Sequence, residues 1–353
     1  MGDRRERALE VARQAGCEGV LAAHPSSVAW LTGFEAEIET GPSPFALGPL
    51  AVLRENGPPV LVVSEDDAGD AAALGCEVSS YAGFGLGPVA PVAGASRALS
   101  EAVGSLRVAT EPGSLPAALA SELDWVDAEA GLAQARAVKD ADEVELLRAA
   151  IALCDAGQRA ARTEARPGRT ELELWGLVRG AIESEAAGRT PVLADLVSGP
   201  RTAEIGGPPG VRALSEGELV LCDLVPRHGG YWGDSCATVA VGEPQPAARE
   251  GHRRAREALE RGVEAVRPGL RAGELDALVR DGLDYPHHSG HGLGTAWHEE
   301  PRIVPGSETV LEAGMVLALE PGFYGDSLGV RVEQVVLVTA DGCEVLSSHE
   351  IEL

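Results

Sequence analysis

Lysine is nearly absent from this sequence, and acidic residues far outnumber basic ones. Lys139 is the single lysine, and 29 lysines and arginines face 55 aspartates and glutamates, which gives a formal net charge of −26 at pH 7. Nucleic acids and anionic membranes are bound through basic patches, so this charge argues against both as partners.

Long apolar runs are also missing. No run approaches the roughly 18 residues that indicate a membrane-spanning helix. The first residues, MGDRRERALEVARQAG, predict a surface helix with an apolar stripe, and they lack the charged, apolar and small-residue order of a secretory signal. We therefore expect a soluble, cytoplasmic protein.

Cysteine pairs at metal-binding spacing are absent as well. The six cysteines are scattered and none forms a CxxC motif, which argues against a thiolate zinc site and against a disulfide framework. We expect most of them to be buried as small hydrophobic residues.

The length of the chain predicts two domains, because 353 residues exceed one ordinary hydrophobic core. Up to about residue 135, helix, strand and turn signals follow one another as in a small α/β domain, without a cluster of titratable side chains. The segment ARAVKDAD marks the predicted boundary. We therefore assign residues 1–135 and 136–353 to two domains and expect the chemistry in the second.

Two helices are predicted at the start of the second domain. Apolar residues recur at helical spacing from 141 to 165, and Asp142 with Glu145 resembles an N-terminal capping box. Pro167 and Gly168 end this helix, and the capping pattern Thr170-Glu171-Leu172-Glu173 begins the next one, which runs to about Ala187.

An acidic β-hairpin follows these helices. The apolar run LVLCD ends at Asp223, and after the turn PRHGG the chain returns through YWGD to Asp234. If the turn centres between His228 and Gly229, the two aspartates are directly opposed cross-strand partners. Such a pair requires a protonated carboxyl or cations between the two groups, although a hairpin can also carry exposed aspartates harmlessly.

Two glutamates lie in apolar strand patterns. Glu320 ends the run VLALE just before Pro-Gly, and Glu333 lies inside GVRVEQVVLV. Burying a glutamate in such a strand is costly unless the carboxylate is paired or coordinated.

Four of the eight histidines fall within the stretch YPHHSGHGLGTAWHEEP, from Tyr285 to Pro301. Imidazole is both a common metal ligand and a proton carrier near neutral pH. Histidine clustering alone is equally compatible with a loop whose imidazoles are solvated or buried in the core, so partners elsewhere in the chain must decide.

The carboxylates supply those partners. Together they form an oxygen-rich donor set with one nitrogen, namely Asp223, Asp234, His291, Glu320 and Glu333. Such ligands suit Mn²⁺, Fe²⁺, Co²⁺ or Zn²⁺, and four carboxylates carry enough charge for two divalent ions. Two ions about 3.5–4 Å apart ionise a bridging water near neutral pH, so this set predicts hydrolysis.

These residues resemble the pita-bread metallopeptidases, the family of prolidase, aminopeptidase P and methionine aminopeptidase, which also contains the metal-free creatinase. The family's first two ligands lie eleven residues apart around Gly-Tyr, as Asp223 and Asp234 do. The ligand histidine of the family lies in a run like HHSGHGLG, which matches His291. Its two glutamates lie within Leu-Glu-Pro-Gly and Arg-x-Glu patterns, which match Glu320 and Glu333.

The resemblance spans nearly the whole chain, more weakly before residue 135, where WLTGF at 30–34 is similar to a creatinase-type element. It implies an α/β (α+β) fold, with a creatinase-type α/β domain followed by a pita-bread catalytic domain whose curved antiparallel sheet is covered by helices. It also implies a homodimer and two divalent metal ions, with Mn²⁺ as the first choice and Co²⁺, Zn²⁺ or Fe²⁺ as alternatives.

By the same resemblance, Glu320 serves as general base or proton shuttle, and His287 and His298 contact the scissile carbonyl or the tetrahedral intermediate. Arg331 lies two residues before Glu333 on the same strand face, where it could hold the carboxylates or anchor a substrate carboxylate. His288 is expected to point away from the site.

The implied activity is hydrolysis of Xaa-Pro bonds in dipeptides or short peptides by a metal-bridging hydroxide. Two positions depart from the pattern of the proline-specific members: Ala237 stands where an arginine is usual, and Gly206 stands where a histidine is usual. An alternative is therefore a hydrolase or lyase of the same fold that acts on a small amide, amidine or ring C–N bond. A third is a peptide-binding module without catalysis.

Overall fold

The structure is a computed structural model that describes residues 2–36, 45–84, 86–87 and 90–353. The chain divides into two compact units, Met1–Arg136 and Ala137–Leu353.

The amino-terminal unit is built on a mixed sheet of six described strands in the order β4-β3-β2-β1-β5-β6. Pairs β1–β2 and β2–β3 are antiparallel, whereas β3–β4, β1–β5 and β5–β6 are parallel. The strands are β1 (Gly19–Ala22), β2 (Leu50–Arg54), β3 (Val60–Ser64), β4 (Glu77–Tyr81), β5 (Val108–Thr110) and β6 (Trp125–Asp127). The helices are α1 (Gly2–Gln14), α2 (Pro25–Thr32), α3 (Ala68–Ala73), α4 (Pro91–Val103), α5 (Ala117–Ala120) and α6 (Glu129–Ala137).

Both faces of the inner strands β1, β2, β3 and β5 are buried, which explains why these four strands read as mainly apolar runs. Successive residues of a strand point to opposite faces. Val20 accordingly packs in a cluster with Trp30 and Leu132, whereas Leu21 packs with Leu99 in a second cluster on the other face.

The carboxy-terminal unit contains antiparallel sheets covered by helices. One sheet has the order β10-β8-β7 with β9 paired to β8, a second has the order β12-β11-β13-β16-β17, and β14 pairs with β15. The helices are α7 (Ala141–Glu164), α8 (Glu171–Glu185), α9 (Pro246–Ala265) and α10 (Ala272–Arg280). The strands are β7 (Val192–Ser198), β8 (Leu219–His228), β9 (Tyr231–Trp232), β10 (Ser235–Ala240), β11 (Gly290–Gly292), β12 (Glu299–Ile303), β13 (Val316–Leu319), β14 (Gly322–Tyr324), β15 (Gly329–Arg331), β16 (Gln334–Val338) and β17 (Cys343–Val345).

Each sheet of this unit packs its apolar side against helices. Leu153 of α7 and Val178 of α8 cluster with Cys222 and Leu224 of β8. On the second sheet, α9 and α10 cover β13 and β16 through residues such as Leu259, Leu275, Leu317 and Val336. No helix in the described ranges is both long and apolar enough to cross a membrane.

The two predicted helices are present, but the first cap lies two residues earlier than expected. The capping box of α7 is formed by Asp140 and Glu143, not by Asp142 and Glu145, and the Glu143 carboxylate accepts a hydrogen bond from Asp140 N at 2.9 Å. The backbone N–H of Lys139 bonds to Gly314 O, which holds the chain extended up to Asp140. The second cap is as predicted, since Glu173 N donates to Thr170 Oγ1 at 3.2 Å.

Candidate metal centre

The acidic hairpin is present, but its turn lies one residue later than predicted. His228 pairs with Tyr231, so the turn residues are Gly229 and Gly230, whose φ angles of 57° and 80° suit a two-residue type I′ turn. Asp223 therefore opposes Cys236 and not Asp234. The two aspartates remain on one face as diagonal neighbours, because a shift by two residues preserves the side of the sheet.

Asp223, Asp234 and Glu333 converge beside this hairpin. Each offers a carboxylate oxygen, and these oxygens lie within 4.8 Å of one another. Glu333 lies at a break between β15 and β16, which the sequence pattern had suggested to be one strand, and its side chain is buried as expected.

Burial, reinforced by mutual repulsion, disturbs the ionisation of these groups. It raises the pKa values of Asp234 and Glu333 well above their ordinary range and that of Asp223 to about 6, against the opposing charge of Arg331. Asp223 Oδ1 and Glu333 Oε1 are buried and have no hydrogen-bond partner among the described residues. Such unpaired oxygens are costly, and a divalent cation between the carboxylates would remove that cost, so the donor set fits metal binding.

His291 lies on the other side of this carboxylate group. It projects from β11, and its Nε2 is 3.5 Å from both Asp234 Oδ2 and Glu320 Oε1. Its Nδ1 lies 2.9 Å from the carbonyl oxygen of Gly292, which can only accept, so Nδ1 carries the proton and Nε2 presents its lone pair to the carboxylates. Burial lowers the pKa of His291 to about 3, which maintains the neutral, metal-binding form.

Glu320 follows β13 directly, next to His291 on the neighbouring strand. His288 Nε2 lies 2.7 Å from Glu320 Oε1, and Arg331 Nε lies 3.7 Å from Oε2. Burial favours protonation of this carboxyl, but the hydrogen bond from His288 and the charge of Arg331 prevail and lower its pKa to about 2. Glu320 is therefore ionised at neutral pH.

The expectation that His288 points away from the site is wrong. Strand β11 begins only at Gly290, so the alternation of an extended chain does not apply at 287 and 288. His288 forms a second potential ligand group with His291 and His298, in which the ligating atoms lie within 4.8 Å of one another.

His287 and His298 lie on the wall of the same cavity. His287 Nδ1 is 2.8 Å from His288 O and its Nε2 is 3.0 Å from Tyr324 Oη, so Nδ1 donates and Nε2 accepts. The His298 ring lies 4.0 Å from that of His291 and is exposed toward solvent. Burial lowers the pKa of both imidazoles, that of His287 to about 4.

Arg331 is buried beneath these carboxylates at 4% exposure. One terminal nitrogen hydrogen-bonds to Asp223 Oδ2, the other donates to Ile205 O at 3.2 Å, and Nε lies 3.3 Å from Cys236 Sγ. Its contacts are those of a residue that holds Asp223 in place.

The cavity has a volume of about 440 Å³ and opens above the carboxylates and histidines. This volume is typical of a small-molecule pocket. The apolar part of the cavity wall is formed by Leu193, Val225 and Trp297. Asp195 also lines the cavity and was missed in the sequence. The signal was available, because it interrupts the apolar strand VLADLVS as Glu333 interrupts its own.

Comparison with known proteins agrees with this geometry. Residues 145–340 match the profile of metallopeptidase family M24, and residues 4–148 match the creatinase/prolidase N-terminal domain. The chain belongs to metallopeptidase family M24. The predicted fold, a creatinase-type domain followed by a pita-bread domain, is thereby confirmed. Members of the family bind divalent metal ions, and the two ligand groups described above are candidate positions for them.

Several relatives resemble large parts of the chain. The Xaa-Pro dipeptidase of Pyrococcus furiosus is 36% identical over 226 residues, which are 62% of this chain and 65% of that protein. The probable dipeptidase PepE of Mycobacterium tuberculosis is 35% identical over 274 residues, 75% of this chain and 70% of that one. The solved structure of an Xaa-Pro dipeptidase from Bacillus anthracis superposes with a TM-score of 0.84 at 25% identity over 99% of both chains. The match to the Pyrococcus relative thus spans slightly less than two thirds of its length.

Proposed function

We propose that this chain is a metal-dependent Xaa-Pro peptidase that cleaves dipeptides or the amino end of short peptides. The observation that carries the proposal is the convergence of buried carboxylates, two of which have an unpaired oxygen, beside a cavity of about 440 Å³ that Asp223 and Asp234 line. The names of the relatives support the Xaa-Pro bond as the target. The catalytic domain is residues 136–353, and residues 1–135 form the creatinase-type domain.

The proposed ligands hold two divalent ions, with Mn²⁺ as the first choice. Asp223, Asp234 and Glu333 form one side of the site, and His291 with Glu320 forms the other. Asp234 faces both sides, because its Oδ2 lies 3.5 Å from His291 Nε2. When bound, two such ions acidify the attacking water and polarise the scissile carbonyl.

Side chains of the protein then carry out the proton transfers and stabilise the oxyanion. Glu320 is ionised and accepts a proton from the attacking water, whose oxygen bonds to the carbonyl carbon. The same proton passes to the proline nitrogen as the C–N bond breaks. His298 is neutral, faces the cavity and has no hydrogen-bond partner among the described residues, so it donates to the developing oxyanion.

His287 and Arg331 have supporting roles in this proposal. His287 contacts the tetrahedral intermediate. Its Nδ1 donates to His288 O, so its Nε2 exchanges the hydrogen bond that it accepts from the Tyr324 hydroxyl for one from the hydroxyl group of the intermediate. Arg331 fixes the orientation of Asp223, and its buried contacts favour this role over that of a substrate anchor.

The direct test is a substrate panel on metal-reconstituted protein. The purified chain is stripped of metal, reloaded separately with Mn²⁺, Co²⁺ and Zn²⁺, and offered Xaa-Pro dipeptides, longer Xaa-Pro peptides and matched Xaa-Ala peptides. We expect Xaa-Pro hydrolysis and about two ions per chain by elemental analysis. An intact Xaa-Pro panel with all three metals would contradict the proposal.

A second candidate is hydrolysis of a small amide, amidine or ring C–N bond on the same scaffold. Of the two departures from the proline-specific pattern, Ala237 opposes Cys222 and lies on the sheet face away from Asp223, so it leaves the cavity unchanged. Gly206 lies against Asp195 of the cavity wall and does alter it. Turnover of non-peptide amides in preference to the peptide panel would favour this candidate.

The family resemblance leads us to infer a homodimer, and we also infer a cytoplasmic location. Light scattering of the purified chain tests the first, and fractionation of the source cells tests the second.

A further inference from the structure

Asp195 lines the cavity together with Asp223, Asp234 and Glu320 but lies outside the proposed ligand set. It lies on β7 directly opposite Asp223 of β8 in an antiparallel pair. Directly opposed residues point to the same face with Cβ atoms roughly 5 Å apart. Asp195 therefore presents its carboxylate to the cavity beside the proposed metal ligands.

The absence of a side chain at Gly206 makes room for this carboxylate. A Cβ atom built on Gly206 would lie 1.9 Å from Asp195 Oδ2, so only glycine is compatible with the observed position. The preceding Ile205 has a φ angle of 76°, in the left-handed region that β-branched residues avoid. Arg331 donates to Ile205 O at 3.2 Å and thus holds this backbone against Asp195. The pocket therefore carries a carboxylate where the usual pattern of the family places a histidine.

Asp195 has no cationic partner within the described part of the chain. Neither a hydrogen bond nor an ion pair to its carboxylate occurs there, and the nearby guanidinium of Arg331 is bonded to Asp223. In the proposed metal-bound state, four ligand carboxylates balance the charge of two divalent ions, which leaves the Asp195 charge for a cation from outside the protein.

A peptide with a free amino terminus supplies such a cation at a suitable distance. In its first residue the α-nitrogen and the carbonyl carbon are two bonds apart, roughly 2.5 Å. When the carbonyl group of the first residue lies above the proposed metal ligands, the α-ammonium group of the same residue is therefore within reach of a carboxylate beside Asp223.

We propose that Asp195 binds the protonated α-amine of the substrate and thereby restricts cleavage to the bond that follows the first residue. This inference rests on the proposed function, since it assigns the amine subsite of the same pocket. Leu193 lies on the same strand face two residues earlier and, with Trp297, provides apolar surface for the first side chain.

Kinetics of Asp195→Asn test the inference, with Asp341→Asn as the matched control in the exposed turn between β16 and β17. Loss of a charge-assisted hydrogen bond should raise KM for Ala-Pro, Leu-Pro, Lys-Pro and Arg-Pro alike, by about 10- to 100-fold, while kcat changes by less than about threefold. The variant should retain the metal content of the parent, and the control should leave both constants unchanged. Gly206→Ala should reproduce the effect, and the double variant should add little because both changes act on one carboxylate.

A binding measurement separates this inference from the proposed reaction. The ligand is a dipeptide analogue with a ketomethylene group in place of the scissile amide, in free-amine and N-acetylated forms, titrated calorimetrically into metal-loaded protein. The parent should prefer the free amine by about 10-fold or more, and Asp195→Asn should lose that preference. If the parent shows this preference but cleaves no Xaa-Pro peptide, the amine subsite stands and the proposed function fails.

Three results would overturn the inference while leaving the proposed function intact. One is an unchanged KM in Asp195→Asn, and another is loss of metal from that variant, which would make Asp195 a support of the ligands. The third is an effect confined to Lys-Pro and Arg-Pro. All the peptides have an α-amine, so such an effect would show that Asp195 binds a cationic side chain and not the α-amine.

Discussion

Lys139 Nζ lies 2.8 Å from Glu299 Oε2, and both side chains are only 1% exposed. Glu299 also accepts hydrogen bonds from Ala296 N at 3.0 Å and from Thr295 Oγ1 at 3.2 Å. The single lysine of the chain is thus paired with the first residue of β12, which in turn holds the loop before His298 through Thr295 and Ala296.

We expect Lys139→Met to lower the free energy of unfolding by about 3–5 kcal/mol, because it leaves the Glu299 carboxylate buried without the Lys139 ammonium group. The double variant Lys139→Met with Glu299→Leu should recover most of this loss. Urea unfolding measures both. Arg253→Met, which breaks surface pairs with Glu250 and Glu257, is the control and should cost less than about 1 kcal/mol. A loss in Lys139→Met no larger than in this control would show that the pair is dispensable.

The helices and the acidic residues that the structure brings together were predictable because their signals are local. Apolar spacing and the pattern of Thr170 and Glu173 define α8, and carboxylates within apolar strands indicated Asp223, Glu320 and Glu333. A charged group in such a run has few explanations other than pairing or coordination.

The features that the sequence did not reveal depend on tertiary contacts or on exact register. Asp140 became the cap of α7 because the chain before it pairs with residues 314–315, far away in sequence. The hairpin turn moved to Gly229 and Gly230, since both have the positive φ angles that a two-residue turn requires. The Asp195 carboxylate occupies space that a side chain at position 206 would fill, and this contact between separate segments is visible only in the structure.

His298→Ala should retain the metals and lose rate. The ring is exposed and lies beside His291, which the proposal assigns as the ligand. Removing a general acid or oxyanion donor typically costs about 10²- to 10⁴-fold, so kcat on Xaa-Pro dipeptides should fall by that factor. Elemental analysis on the same sample should give the metal content of the parent. Loss of metal in this variant would instead identify His298 as a ligand.

Asp155→Asn should destabilise the protein in a pH-dependent manner. Asp155 is buried on α7 and accepts hydrogen bonds from Ser348 Oγ at 2.7 Å and from His349 N at 2.9 Å. Burial favours its protonation, but the hydrogen bonds from His349 and Ser348 prevail and lower its pKa.

A carboxyl group whose pKa is lower in the folded protein than in the unfolded chain stabilises the fold. This stabilisation is complete above the unfolded pKa of about 3.9 and is lost as the pH falls through the pKa of the folded protein. Asp155→Asn should therefore cost about 2–3 kcal/mol at pH 7 and progressively less below pH 4. Urea unfolding at pH 7, 5 and 3.5 measures the difference. A constant difference at all three pH values would show that the carboxylate charge is not involved.

Glu333→Gln should reduce both metal content and the stabilisation that metal provides. The carboxylate is 1% exposed, and Oε1 has no hydrogen-bond partner among the described residues, so the cation proposed above would satisfy this oxygen. A ligand that binds only the folded state adds about 4 kcal/mol at a concentration 1,000 times its dissociation constant. Chelation should accordingly lower the Tm of the parent by several degrees and that of the variant by less. Glu308→Gln, whose side chain is 82% exposed, should behave like the parent. If Glu333→Gln retained the parent's metal content and the full response to chelation, Glu333 would not be a ligand, and the first group of carboxylates would have to bind its ion through the two aspartates alone.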